Sequence, residues 1–288
     1  MSEDVCIYQR INSIYSKNVY SIHMSKKNHH MYTVPVPDLR ELNEIYSNDY
    51  SFAAHKVIDF EKGIRAHYLF GKIRRFLFEG NRVLELGPMY GHYLAILKRH
   101  GFTVKGAELS SIGVKECKQK GLDVINSSAE QFLAEVTEKY DMVHLSHSLE
   151  HFLRPEEVLQ GIYQVLNQGG KLTILVPNNQ SKLIRLFGKA WGYWAVPVHL
   201  NHFSEVSLRS LLAKSGFKTV FCATQGGDSL MWLGSILNLV GVKLSSNDRI
   251  AKVGFAKKLI LLLASFLFLP WLYFGNDDLV LVAEKVSK

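Results

Sequence analysis

Cysteine is scarce in this chain of 288 residues. Cys6, Cys117 and Cys222 stand far apart and form no C-x-x-C pair. That excludes a disulfide framework and fits a reducing compartment. Charged residues make up only 21% of the chain against 47% hydrophobic, which excludes disorder as the default state. The opening MSEDVCIYQR carries acids and no apolar core, so no secretory signal is expected there. The G-x-G-x-x-G turn of a dinucleotide-binding domain is missing where it would be looked for, at GPMYGH. Long apolar runs are missing too. The uncharged run at 259–274 would span about 24 Å as a helix, short of a hydrocarbon core of about 30 Å.

What is present begins with a formal net charge of +8 and a pI near 9.2. Such a balance favours acidic partners, namely nucleic acid, anionic lipid or a phosphorylated substrate, and equally describes a basic soluble enzyme. The basic residues are dispersed and not gathered with aromatics, which argues against nucleic acid. A cytoplasmic location, peripheral at the inner face of a membrane, is expected.

The stretch RVLELGPMYGHYLAILKRHGFTVKGAELS (82–110) is the most informative. It reads as a strand at 83–86, a turn opened by Gly87 and closed by Gly91, a helix, and a second strand at 102–107 that ends on Glu108. Glycines in such a turn let the backbone approach a ligand and leave helix N–H groups free for an anion. Glu108 follows Gly87 at about the 20-residue spacing of a βαβ nucleoside-binding unit, where an acid accepts ribose hydroxyls.

Further strands are expected at 123–126, 140–146, 171–176, 218–223 and 279–284. Helices are expected at 62–79, 109–120, 129–137, 155–166 and 205–215. Pro155 suits a first helical turn and Gly169–Gly170 a helix end. Strand–helix alternation of this kind implies an open parallel sheet with helices on both faces.

The pattern resembles the class I S-adenosylmethionine-dependent methyltransferases, whose first motif runs acid-x-Gly-x-Gly-x-Gly. Glu85, Gly87 and Gly91 match it, and Met89 stands where the middle glycine usually is. The resemblance implies a Rossmann-like α/β fold with a seven-stranded sheet whose last strand is antiparallel, and an apolar helical insertion before that strand. It implies S-adenosylmethionine as cofactor. Glu85 would help to hold its ammonium, and Gly87, Met89 and Gly91 would wrap its methionine part. Glu108 would take the ribose and Leu109 would flank the adenine. Ala129 and Glu130 would read the exocyclic amine, with Ser146 at the end of the fourth strand. Two readings of Met89 stand side by side. Either its backbone keeps the turn while its side chain fills a gap, or the pocket is spoiled.

Ser146–His147–Ser148–Leu149–Glu150–His151 follows the fourth strand, where ligands of such sheets bind. Its ending resembles the ubiquinone-biosynthesis O-methyltransferases and their relatives, which carry Glu-x-x-Glu-His there. His147, Glu150 and His151 would be three N/O ligands for a divalent metal; alternatively Glu150 and His151 orient the loop. WGYWAVPVHLNHF (191–203) resembles the substrate-side loop of the same enzymes. Trp191, Tyr193 and Trp194 would form an aromatic wall, or a lid packed on itself with Ser204 as a helix cap. Candidate general bases are His147, His151 and His199, because a histidine titrates near neutral pH.

Three segments are expected: a degenerate zinc-ribbon-like lead-in (1–60), the methyltransferase domain (61–224 and 277–288), and the insertion (225–276). In the lead-in, Ser25 and Asn28 occupy the places of thiolates, and His23, His29 and His30 have no regular ligand spacing. The insertion has a twelve-residue apolar run at 231–242 as well as 259–274. Both its ends return to one sheet, so the shorter run argues against a two-span hairpin. A buried helix and an interfacial pair, with Arg249, Lys252, Lys257 and Lys258 beside headgroups, remain.

The chain lacks the Asn/Asp-Pro-Pro-aromatic motif of nucleic-acid amino methylation and any Pro-Cys pair for cytosine attack. The expected activity is methyl transfer to a small molecule, a hydroxyl of a quinone, lipid or lipid-linked glycan intermediate. The competing expectation is a cofactor-binding or membrane-docking scaffold without catalysis.

Overall fold

A computed structural model describes residues 4–13, 15–47, 59–78, 80–240, 263, 267 and 270–286. In chain order the strands are β1 (Val5–Asn12), β2 (Val19–Met24), β3 (Met31–Val34), β4 (Arg82–Leu86), β5 (Thr103–Glu108), β6 (Val124–Asn126), β7 (Tyr140–Ser146), β8 (Leu166–Pro177), β9 (Asn201–His202), β10 (Phe217–Gln225) and β11 (Asp278–Lys285). The helices are α1 (Leu39–Ser47), α2 (Asp59–Ile73), α3 (His92–Arg99), α4 (Ser111–Gln119), α5 (Ala129–Glu135), α6 (Pro155–Val165), α7 (Lys182–Phe187), α8 (Glu205–Lys214), α9 (Ser229–Leu239) and α10 (Trp271–Phe274).

Two compact units divide the chain. One comprises Lys62–Val176, Leu208–Ala223 and Leu279–Lys288. It is built on a seven-stranded sheet in the order β10-β11-β8-β7-β4-β5-β6. The pairs β4–β5, β4–β7, β5–β6 and β7–β8 are parallel. β11 runs against its neighbours: Lys285 reaches the carbonyl of Leu166 at the start of β8, and Val286 N–H donates to Gly216 just before β10. Val83, Leu94, Leu97, Val104, Met142 and Val282 belong to one buried core in which helices pack on the sheet. Strand and helix positions expected from periodicity appear within a few residues. Gly169 and Gly170 are the exception. They lie inside β8, where Gly169 takes the left-handed φ of 72° and the register against β7 slips. The helix before them ends at Val165.

The other unit comprises Met1–Glu61, Pro177–Ser207 and Thr224–Asp278. Its four-stranded sheet runs β1-β2-β3-β9 and is antiparallel throughout. Over its described residues the lead-in thus forms the strands β1, β2 and β3, followed by α1. Tyr20 and Ile22 alternate inward along β2 as a half-buried strand requires. Cys6 donates to the carbonyl of Tyr8, and Ser25 N–H to that of His30 across the β2–β3 turn. Among the described residues, no three metal-ligating side chains of the lead-in come together.

The core of this unit is aromatic. Trp191, Tyr193 and Trp194 are buried with Ile11, Tyr20, Ile22 and Phe187, and Trp232 and Trp271 pack against them. Trp191 meets Tyr193 and Trp194 edge-on, with centroids 5.5 and 4.9 Å apart, the favoured geometry for such rings. α9 takes up 231–239 of the apolar run expected at 231–242, whose last two residues lie outside the described residues. Asp228 caps it by accepting from Met231 N–H, and buried Glu61 accepts from Ser229 N–H (2.9 Å) and Ser229 Oγ (2.5 Å). Most of 259–274 lies outside the described residues. No helix among those described is long and apolar enough to cross a membrane.

Candidate active site

The carboxyl ends of β4, β5, β6 and β7 carry the site. After β4 the chain turns with left-handed backbones at Gly87 (φ 79°), Met89 (φ 48°) and Gly91 (φ 67°). A methyl at Gly87 would lie 2.7 Å from Ser148 Oγ, which itself donates to the Leu86 carbonyl at 2.9 Å. At Gly91 it would strike Leu122 and Cys117. Only glycine fits either place without displacement. Met89 keeps the left-handed conformation without being glycine, and its neighbours hold it there. Its N–H donates to Glu108 Oε2 at 2.9 Å and its carbonyl accepts from Cys117 Sγ at 3.3 Å. Lys120 Nζ closes the turn from outside by donating to the Tyr90 carbonyl at 2.7 Å.

Glu108 ends β5 almost fully buried. Its Oε1 accepts from Ser110 N–H at 2.7 Å, so one carboxylate bridges the amides of Met89 and Ser110. Burial pushes its pKa up, while the three backbone amides of Ser110, Met89 and Leu109 pull it down. Asn126 Nδ2 donates to the carbonyls of Glu108 (3.0 Å) and Leu109 (2.8 Å), which fixes the tip of β5 beside β6. Leu109 projects outward, 61% exposed. Ser128 caps α5 by accepting from Gln131 N–H, which leaves Ala129 buried and Glu130 exposed at the first turn.

Glu85 lies beneath the turn, with its Oε2 unpartnered among the described residues. Burial, then the nearby Glu108 charge, push its pKa up to about 8. A buried carboxylate with a vacant oxygen under a glycine turn suits a cationic group. The donor set, with Glu108 at the second strand and the Cβ-free cradle at Gly87, therefore fits an S-adenosylmethionine-type ligand.

Ser146 ends β7 half-buried. His147 follows with φ of 51°, its N–H donating to Leu175 and its Nδ1 3.4 Å from Glu150 Oε1. Glu150 is fully buried and His151 half-buried on the 3-10 turn Leu149–His151. The ligand atoms of His147, Glu150 and His151, expected as a metal set, do not all gather within 4.8 Å. The left-handed turn at His147 joins it to Glu150 instead. His199 belongs to the other unit, where it is buried and donates from Nδ1 to the Tyr193 carbonyl at 2.8 Å. The expected aromatic wall is core there, and Ser204 caps α8 by accepting from Ser207 N–H.

Four contributors escaped the sequence reading as site residues. Ser148 and Cys117 brace the turn, and His144 and Tyr93 lie buried near Glu85. His144 lies within the run Met142–Leu145 of β7, which is buried on both faces, and nothing in its spacing marks a partner.

The methyltransferase-domain family matches residues 62–220, more than half of the chain. The chain belongs to that family. It is 30% identical over 115 residues to a ubiquinone biosynthesis O-methyltransferase of Caulobacter sp. (strain K31), covering 38% of this chain and 46% of that protein. A protein of the same name from Brucella anthropi is 25% identical over 154 residues, covering 50% and 62%. The chain thus spans about half the length of the curated relatives it matches. Among solved structures, a SAM-dependent methyltransferase from Archaeoglobus fulgidus superposes with a TM-score of 0.52 at 22% identity, covering 76% of this chain and 94% of that one. The magnesium protoporphyrin IX methyltransferase of Synechocystis PCC 6803, solved with bound SAH, gives 0.52 at 15% identity, covering 81% and 87%. These likenesses establish the Rossmann-like methyltransferase fold.

Proposed function

We propose that this methyltransferase-family chain transfers the methyl group of S-adenosylmethionine to a small-molecule acceptor, a hydroxyl of a quinone, lipid or lipid-linked glycan intermediate. The observation that carries the reading is the turn itself: three left-handed residues in five, with Glu108 bridging two of the amides beneath it. In this reading Glu108 accepts ribose hydroxyls with the lone pairs its two amides leave open. Leu109 covers the adenine face, Ala129 and Glu130 meet its amino edge, and Glu85 opposes the ammonium. When bound, S-adenosylmethionine supplies a methyl group already activated by the sulfonium charge. The chain's own work is then alignment and exclusion of water.

A hydroxyl acceptor must also lose its proton. His147 is the first candidate base, since Glu150 beside its Nδ1 orients the ring. His151 is second. His199 is third, with Nε2 as its basic atom because Nδ1 donates to Tyr193. A quinone-like acceptor draws its support from the printed names of the relatives, and a lipid acceptor from the apolar insertion. A membrane surface is proposed as partner of 225–276, where Ile236, Leu239 and Val240 are exposed.

Calorimetry with S-adenosylmethionine and S-adenosylhomocysteine tests the cofactor. Saturable binding of both is expected. Binding of neither would remove the enzyme reading and favour a scaffold. Co-flotation with liposomes tests the membrane partner, and recovery wholly in the soluble fraction would remove it.

A further inference from the structure

Directly behind the cofactor turn lies a set of polar atoms that the proposed reaction leaves unexplained. Glu85 on β4, Tyr93 on α3 and His144 on β7 are all buried. Three of their polar atoms, Glu85 Oε2, Tyr93 Oη and His144 Nε2, have no hydrogen-bond partner among the described residues. The three side chains are near neighbours. His144 Nε2 is 3.9 Å from Glu85 Oε1, and the Tyr93 and His144 rings stack obliquely with centroids 4.2 Å apart. Unsatisfied buried polar atoms each cost free energy, so three converging from three elements ask for a reason. His144 cannot simply neutralise Glu85. Its Nδ1 meets the Thr173 hydroxyl at 2.6 Å, and burial drives its pKa down to about 3, so the ring is neutral. No lysine or arginine is paired with Glu85 among the described residues.

We propose that Glu85, with His144 and Tyr93 packed around it, stores a proton beneath the turn and releases it to solvent when the cofactor's ammonium docks. With no cation present, a buried carboxyl next to a neutral imidazole and a phenol keeps its proton, because the charged form is poorly solvated there. When an ammonium arrives, the carboxylate becomes the favoured form and the proton leaves. One O–H bond breaks, solvent or buffer takes the proton, and no other group changes its charge. The groups that face Glu85 are Tyr93 from α3, Glu108 from β5, His144 from β7 and Cys117 from α4. The acid Glu108 reinforces the stored proton and a hydrogen bond from the Leu94 backbone opposes it, while Tyr93 and Cys117 are both held protonated, and so uncharged, by burial. The inference rests on the cofactor reading above and adds a regulation to it: binding becomes coupled to pH.

The test is calorimetric titration of the whole chain with S-adenosylhomocysteine at pH 7 in two buffers of different ionisation enthalpy. About one proton released per ligand bound is expected, with affinity rising up to about tenfold per pH unit from pH 6 to pH 7. Glu85→Gln should still bind, more weakly, with the proton release gone. Tyr93→Phe, a smaller change that preserves the core, should keep the release but shift the pH at which it is half complete. Binding by the unchanged chain without proton release overturns this inference alone. Absence of any binding overturns the cofactor reading and the inference with it. Persistence of release in Glu85→Gln assigns the proton elsewhere and overturns it as well.

Discussion

At the scale of single residues, the turn is decided by the space around a Cβ. Gly87→Ala would put a methyl against Ser148 Oγ at a φ of 79°. The expected cost is about 1–3 kcal/mol of stability, together with loss of measurable S-adenosylhomocysteine affinity. Thermal melting and calorimetry on the same preparation read both, and an alanine variant that binds normally would show that the turn does not cradle the ligand. His147→Gln removes the proposed base while keeping hydrogen-bonding groups near Glu150. If His147 takes the acceptor's proton, turnover of an identified substrate should fall about 10²–10⁴-fold with cofactor affinity little changed. Unchanged turnover would pass the role to His151 or His199. Met89 is instructive here. The sequence departs from its family at that letter, yet the backbone takes the same left-handed turn, held by Glu108 and Cys117 on either side.

At the scale of elements, what could be read from the sequence and what could not divide along physical lines. β4, β5, β7, α6 and the tip acids Glu85 and Glu108 were legible because parallel strands and amphipathic helices repeat their burial locally. The lead-in was not. Its strands are short and half-polar, and β3 gains one neighbour, β9, only from the distant segment Asn201–His202. That pairing also buries His202. Thr33 Oγ1 meets its Nε2 at 3.0 Å, and burial drives its pKa down to about 3. The aromatic segment reads in sequence either as a substrate wall or as a lid packed on itself, because composition cannot tell a wall from a core. The loop after β10 illustrates how such a core is secured. Buried Asp277 accepts from Gly227 N–H at 2.9 Å, and also from Ser181 Oγ and Trp271 Nε1. Asp277→Asn should cost about 2 kcal/mol, since charge-assisted hydrogen bonds are lost in a buried place. All four tryptophans, Trp191, Trp194, Trp232 and Trp271, belong to this unit. Urea unfolding followed by tryptophan fluorescence therefore reports on it selectively. An unshifted midpoint would show that Asp277 is not what ties these segments.

At the scale of the whole molecule, the two units should answer pH over different ranges in the absence of cofactor. In the aromatic unit, His202 binds its proton far more readily unfolded than folded. Its contribution is present above pH 6.5 and is lost as pH falls towards 3. In the sheet unit His144 behaves likewise, while Glu85 does the reverse. Its folded pKa near 8 lies above the ordinary 4.5, so its contribution is full below 4.5 and is lost as pH rises through 8. The two offset one another between 4.5 and 6.5, so the sheet unit should be most stable there and weaken from 6.5 to 8. Each uncompensated proton is worth about 1.4 kcal/mol per pH unit. Melting curves at pH 5, 6.5 and 8, followed by tryptophan fluorescence and by far-ultraviolet circular dichroism, should separate. Parallel shifts of both signals would contradict these assignments.

The aromatic unit is drawn from three stretches that the sheet-forming stretches interrupt, and this bears on how the protein is made. On a ribosome, β1, β2 and β3 emerge before β9 and must wait for it, from Val34 to Asn201, for about ten to thirty seconds of synthesis. Even then the stretch carrying Trp232 and Trp271 is still in the tunnel or untranslated. During that interval Ile11, Tyr20 and Ile22 have no aromatic core to join. The nascent chain thus offers a partly apolar strand meander to any chaperone, or to a second nascent copy, long before its own partners exist. Yield on expression should accordingly depend more on translation speed and chaperone supply than the stability of the finished fold suggests.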